Sequence, residues 1–543
     1  MAKKIFYFLL LTFHFSLLTS CSLDENPHDQ IPEEEAYSNA SALYLNTVAT
    51  LYNYIGGFAD GQGLQGTCRG IYDLQTFGSD EAMLPTRGGD WYDGGIWQDM
   101  YMHAWDPGHE LLKNSWLYLY KVIALCNHSL QVLNDHKSLL TTEKYQKYTA
   151  EVRGLRAILY WYLLDLFGRV PIILSDEAST DQIQQASRST LFKFIVTELL
   201  DISEILEPAN SVKPGEYYGR VTQPVVYFVL AKLMLNAEVY LDDNWTDDNR
   251  PDGSQLRLQI YDHIMNAWEA TILFCEYIRV AGYRLEDDYS SNFAVRNEQS
   301  NENIWIIPMD KDLYSNQQQN MFRSYHYRHA AAYGFSGENG TSATKRILEV
   351  FGYGTPEQDE RFNLCYWAGP ISDLDDQPVT DRSGKPLIYY PERVEMILDG
   401  SQYLETAGAR MKKYEIDRNA TKDGKLMDND IVLFRFADVL LMEAEAMLRN
   451  GMDGQDLFNK VRGRVFVPKR PLTLQNLLDE RLLELCWEGW RRQDLIRFGQ
   501  YKSLYEGEES LPVIDESDGH TTVFPIPGDI LKLNEQLTQN PGY

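Results

Sequence analysis

Two stretches of the chain collect residue types suited to recognising a polar ligand. From Asp80 to Trp97 the aromatics Trp91, Tyr92 and Trp97, the carboxylates Asp90 and Asp93, and Arg87 share a loop with Gly88, Gly89, Gly94 and Gly95. Such glycines permit backbone angles closed to other residues. From Tyr314 to Phe335 the chain offers Asn316, Gln317, Gln318, Gln319, Tyr325, His326, Tyr327, Arg328, His329, Tyr333 and Phe335. Trp367, within Cys365-Tyr366-Trp367-Ala368-Gly369, is a third candidate. An aromatic face stacks on the apolar C–H face of a pyranose ring while polar neighbours bond its hydroxyls. With 35 Tyr and 11 Trp, the chain is generously supplied for that chemistry.

Catalysis finds no comparable support. There is no H-E-x-x-H, no G-x-S-x-G and no phosphate loop, and His109-Glu110 lacks a second histidine. A glycosidase needs two carboxylates at a set separation, and 79 acidic residues make any pair chosen from sequence arbitrary. Asp242 to Asp248 offers oxygens for calcium but lacks the glycine and terminal glutamate of an EF-hand, so it reads as a solvated loop. No catalytic residue, cofactor or metal ligand is assigned.

The elements that must position the candidates are mainly helical. Apolar periodicity predicts helices from Ala40 to Tyr54 and within 107–167, the clearest being Glu151 to Phe167, closed by Gly168 and followed by Pro171. Further helices are expected from about Leu191 to Leu206, from Thr222 to Leu241 with Pro224 in the first turn, and from about Leu256 to Val280. The pattern then fades. Residues 281–430 are rich in Gly, Asn, Asp and Tyr, with short strand-like runs such as Ile304 to Ile307, and read as an irregular insertion of the kind that carries binding residues. Helices are expected again from Ile431 to Leu448 and from about Leu474 to Phe498. In the last, Glu488 with Arg492 and Arg481 with Glu484 are spaced to pair along one helix. A superhelix of helix pairs with an irregular, loop-rich ligand-binding insertion is the expected architecture.

Location is written at the start. Lys3-Lys4, an apolar run from Ile5, and Leu18-Thr19-Ser20 before Cys21 resemble a bacterial lipoprotein signal, with Cys21 as the lipidated residue. Residues 1–20 are then a signal peptide and residues 21–39 a lipidated tether. The formal charge of −29 makes nucleic acid a poor partner, because phosphate binding needs basic patches. Five further cysteines, widely spaced and without C-x-x-C, exclude a dense disulfide scaffold and read mainly as buried thiols.

Several blocks resemble the SusD/RagB family. These are Asp430-Ile431-Val432-Leu433-Phe434-Arg435-Phe436-Ala437-Asp438 with Glu443-Ala444-Glu445-Ala446, Glu480-Arg481 through Glu488-Gly489-Trp490-Arg491-Arg492-Gln493-Asp494, and Phe524-Pro525-Ile526-Pro527 to Asn540-Pro541-Gly542-Tyr543. Upstream, Leu155-Arg156-Ala157 to Pro171, Gly219-Arg220-Val221-Thr222 and Ile304-Trp305-Ile306-Ile307-Pro308 also match the family's pattern. The resemblance implies a mainly α fold with tetratricopeptide-like helix pairs: a helical scaffold over 40–280, a ligand-binding insertion over 281–430, and C-terminal helices with the family's terminal motif over 431–543. It implies a nutrient-uptake lipoprotein on the outer face of the outer membrane, partnered by a SusC-like TonB-dependent transporter. Glycan is the expected cargo; peptide, as in RagB-like members, is the alternative. Ligand aromatics of the family commonly follow the Ile-Pro block, which favours Tyr314, Tyr325, Tyr327, Arg328 and Tyr333. Arg87, Asp90, Trp91, Tyr92, Trp97 and Trp367 complete the candidates, although the block around Trp91 is shared by a branch of the family and serves equally as structure or transporter contact. The charged pairs of the last helices are expected to be structural.

Overall fold

A computed structural model describes residues 33–57, 62–175, 183–247, 249–313, 318–420, 425–505 and 512–543. Cys21 and Tyr314 lie outside these residues. Among the described residues no helix is long and apolar enough to cross a membrane.

Helix pairs dominate the first half. Helix α1, Glu110–Asp135, and α2, Thr142–Phe167, form a hairpin in which the Thr141 hydroxyl accepts from the Lys144 N–H and so caps α2. Gly168, at φ +64°, ends α2 in a conformation that any side chain would strain. Helix α3, Arg188–Ser203, packs on α2, and Gly154 of α2 allows the approach: a Cβ there would meet Ile202 and Val221 at 3.2 Å. Helix α4, Gln223–Leu235, accepts Pro224 in its first turn and packs on α5, Ala267–Val280. The helix expected from Leu256 begins only at Ala267. A hairpin pairing Leu258–Ile260 with His263–Met265 precedes it, and Asn266 with Glu269 forms a capping box that fixes the start.

The insertion contains short helices and two-stranded ribbons among the described residues. Strand β1, Asn303–Ile307, is the strand-like run read from sequence. Strand β2, Tyr366–Trp367, pairs with β3, Arg410–Met411. The partner of β1 is β4, Ile431–Arg435, a strand where the sequence pattern predicts the start of a helix. A five-residue apolar run fits a buried strand or a buried helix equally well, and the ladder with β1 decides it. Helix α6 follows directly at Phe436–Arg449, packed on α5, α7, Gln455–Arg464, and α8, Leu474–Leu485.

The last expected helix is likewise two. Helix α8 ends before Cys486, and α9 runs Arg491–Arg497. Between them Trp487 at φ +64° and Gly489 at φ +74° turn the chain. The break takes Glu488 off the helix that carries Arg492, and Arg481 and Glu484, both on α8, turn to partners on other elements, so neither expected pair forms. Arg481 pairs with Asp438 and Asp494, and Arg492 with Asp165. Glu484 pairs with Arg361, Arg435 and Arg464, and Glu488 with Lys413 and Arg435. These groups are almost completely buried, which agrees with the structural role expected of them.

One hydrophobic core runs beneath both halves, and Phe434 joins them: its ring lies 4.3 Å from that of Phe228 on α4 and 6.1 Å from that of Trp490. Cys126, Cys275, Cys365 and Cys486 are buried free thiols, and burial pushes the Cys126 thiol up to about 12.

Candidate functional site

The sequence candidates separate by depth. Tyr325 is 0% exposed and Trp97 1% exposed, so neither has a ring face to offer. Their identities follow from packing: Trp97 donates Nε1–H to Asp93 Oδ2 at 2.7 Å and meets Phe77 edge-on at 5.6 Å. Arg87 is buried too. Its guanidinium donates to the carbonyls of Leu404 and Ala407 and to Ser342 Oγ at 2.7–2.9 Å, pinning the 404–407 loop. Trp91 donates to the Glu338 carbonyl and packs over Gly340, where a Cβ would lie 2.7 Å from the indole. Residues 87–97 therefore act mainly as a brace. Tyr92 alone of their aromatics is well exposed, at 52%.

The short helix Tyr327–Ala332 links this brace to the insertion. At its start the Tyr327 hydroxyl donates to Asp90 Oδ2 at 3.1 Å, so the two candidate stretches of sequence meet in space. Arg328 is exposed beside it. Beneath the helix the Tyr389 hydroxyl holds it in place. His329 Nδ1 and the His326 N–H each lie 3.0 Å from the Tyr389 hydroxyl. Burial, with His326 and Arg410 nearby, brings the His329 pKa down to about 3.

Just past the helix, Tyr333 and Trp367 come together with ring centroids 6.0 Å apart. Both are half-buried and both line a cleft of about 480 Å³. The Trp367 indole is fixed from below, donating to the Tyr325 hydroxyl at 2.8 Å and meeting His329 edge-on at 4.9 Å. Tyr333 donates to the Ser372 carbonyl at 3.2 Å. Tyr325 thus contributes as support for a neighbouring ring.

The polar lining of the cleft was not singled out in the sequence. Lys412 lies 4.5 Å from the Trp367 ring centroid and donates to the Asn363 carbonyl at 2.7 Å. Asp373, Asp376, Lys413, Glu415 and Arg418 complete the charged lining, and Leu364, Leu374 and Ile416 the apolar part. Lys412 and Arg418 arrive because β3 pairs with β2, matching Arg410 to Trp367 across 43 residues. No local pattern announces that pairing. Two rigid rings with donors and acceptors around them can stack on an apolar face and bond hydroxyls.

Two other motifs are structural. Asp242 accepts from the Asn244 N–H and Asp243 from Ser189, as a loop that satisfies its own backbone. No group of three or more His, Cys, Asp or Glu placed to hold a metal occurs among the described residues.

Comparison with known proteins agrees with this architecture. Residues 301–543 match the model described as SusD family, and residues 72–235 match one described as starch-binding associating with outer membrane. The Starch-binding protein SusD of Bacteroides thetaiotaomicron is 25% identical, with 100% of this chain and 99% of that protein covered. A SusD-like protein of Bacteroides ovatus is 22% identical over 76% of this chain and 71% of its own length. Among solved structures, a laminarin binding SusD-like protein superposes with a TM-score of 0.68 at 20% identity, covering 93% of this chain and all of that one. Surface glycan-binding protein A from Bacteroides thetaiotaomicron, in complex with laminarihexaose, gives 0.65 at 18% identity, covering 92% and 99%. With the same helical fold, both halves matched by family models and the sequence alignable from end to end, the chain belongs to the SusD family.

Proposed function

We propose that the chain captures an oligo- or polysaccharide at the outer face of the outer membrane and delivers it to a SusC-like TonB-dependent transporter. The observation that carries the reading is the Tyr333–Trp367 cleft, where two half-buried rings are fixed from behind and flanked by Lys412, Arg418, Asp373 and Asp376. Tyr327 with Asp90, Arg328 and exposed Tyr92 extend the same surface toward the brace. The relatives named for binding starch, laminarin or surface glycans support sugar as the cargo class. Binding without turnover fits their names and the lack of a recognisable catalytic motif. Cys21 is the proposed point of lipid attachment.

Binding of the unlipidated protein to a panel of plant, fungal and host polysaccharides in affinity gels tests the reading. Retardation by one polysaccharide, lost in Trp367→Ala with Tyr333→Ala, is the expected result. Failure with every glycan, accompanied by heat released on titration with a peptide mixture, would transfer the role to peptide uptake. Co-purification of a TonB-dependent barrel with the lipidated protein from native membranes tests the partner.

A further inference from the structure

We propose that the helical scaffold carries a second saccharide site, specific for neutral sugar units, in two clefts that flank Arg220. The proposal rests on the glycan-capture reading but uses none of the residues of the Tyr333–Trp367 cleft. One cleft, of about 340 Å³, has Tyr148 and Tyr217 among its walls; the other, of about 270 Å³, has Tyr44, Tyr52 and Asn53. Glu216 and Arg220 belong to both and form the ridge between them. The larger volume falls within the range of small-ligand sites, about 300–1,000 Å³.

The ridge is built, not incidental. Arg220 lies between the rings of Tyr44 and Tyr217, 5.0 Å and 4.9 Å from their centroids. Its Nε and Nη2 donate to the two oxygens of buried Glu151 at 2.9 Å and 2.5 Å. Tyr52 donates to the same carboxylate at 2.6 Å, and Tyr148 packs on Tyr44 at 4.9 Å. Rings held this firmly lose little freedom when a ligand stacks on them. Tyr44 also opens a π-helical turn, Leu45–Ala49, a rare geometry that recurs at functional sites.

Charge selects the ligand class. The larger cleft has four carboxylates, Glu143, Glu151, Glu207 and Glu216, against three cations, Lys144, Lys147 and Arg220. Lys147 is already engaged by Glu143 and Glu207. Arg220 is likewise neutralised by Glu151, which leaves Lys144 set against Glu216, a balance without net attraction for a uronic or sulfated chain, while tyrosine rings beside the Glu216 carboxylate suit an uncharged pyranose. Two sites on one molecule would also retain a polymer through effective concentration.

Calorimetry with a panel of neutral hexasaccharides, maltohexaose and laminarihexaose included, tests this on the described fold. The expected result is two sites per chain for at least one hexasaccharide. Tyr217→Ala with Tyr148→Ala should leave one site, with circular dichroism unchanged, and Trp367→Ala should remove the other. Glu216→Trp, which crowds both clefts while leaving the Arg220–Glu151–Tyr52 contacts in place, should reproduce the loss and weaken retention of the matching polysaccharide by about tenfold or more. A single site, abolished by Trp367→Ala and indifferent to all three scaffold substitutions, would overturn the proposal and leave glycan capture standing. No binding of any hexasaccharide or polysaccharide would overturn both.

Discussion

The sealed charge web between the insertion and the C-terminal helices and the open cleft around Trp367 use similar residues in opposite ways. In the first, Arg361, Arg435, Arg462 and Arg464 are sealed against Glu302, Glu480, Glu484 and Glu488, with hardly any solvent contact. In the second, Lys412, Arg418, Asp373 and Asp376 border a cleft beside half-buried rings. A carboxylate sealed against a guanidinium is a structural part, because removing either partner strands a charge in low dielectric. A charge at a cleft edge keeps its water and can exchange it for a ligand. Richness in Arg, Glu and Trp therefore says little about function until burial sorts the residues.

The largest effect that would break this comparison lies in the charged core. Arg435→Met, which leaves Glu302, Glu484 and Glu488 short of a partner, is expected to cost about 3–5 kcal/mol in chemical denaturation. A cost under about 1 kcal/mol would mean that the web is solvated and the contrast with the cleft is unfounded. Trp97→Ala should cost a similar amount, about 3–5 kcal/mol, as a cavity under the brace.

Next come opposite pH responses of two buried carboxyls. Burial would raise Glu484, but Arg464, Arg435 and Arg361 outweigh it and hold its pKa well below the ordinary carboxylate range. Its contribution is present above pH of about 4.3 and is lost as pH falls through the folded value, so urea midpoints should drop on acidification. Glu81 behaves oppositely. Burial, only partly offset by the Trp487 N–H, Lys413 and Arg491, raises it to about 7. The folded state then binds the proton more tightly than the unfolded chain, and stability is lost as pH rises from about 4.3 through 7. Glu81→Gln, which cannot ionise, should gain on the wild type between pH 5 and pH 8; a constant difference across that range would show that Glu81 is not protonated in the fold.

Smaller effects sharpen the contrast from the cleft side. Tyr333→Ala and Trp367→Ala are each expected to weaken polysaccharide binding by about tenfold, about 1.4 kcal/mol, measured by retardation in affinity gels. Tyr333→Ala should change stability far less than Trp97→Ala does. Tyr92→Ala, at a ring half in water, should shift stability by no more than about 0.5 kcal/mol. A larger loss would place Tyr92 with the brace.

Where the signal is local, the sequence was a sufficient guide. Apolar spacing located the part of α2 from Glu151 and its stop at Gly168, though the helix begins nine residues earlier at Thr142, Pro224 marked the start of α4, and Ile304 to Ile307 is a strand. Signals that depend on distant partners were misread. Ile431–Arg435 became a strand because β1 lies against it, and 474–498 broke because Trp487 and Gly489 adopt positive φ between α8 and α9. The candidate aromatics show the same limit. Residue type selected Tyr325, Trp97, Tyr333 and Trp367 alike, whereas packing buried the first two and left the last two at a cleft.

By itself, then, the sequence determined a mainly helical chain, poor in catalytic motifs and rich in aromatic rings, because periodicity, end signals and composition are local properties, while its motif blocks carried the resemblance to the SusD family. Tertiary structure alone decided which rings keep a face to solvent, which charges are sealed in pairs, and that Arg410–Arg418 meets Trp367. Those outcomes depend on desolvation and long-range pairing, which no window of sequence contains.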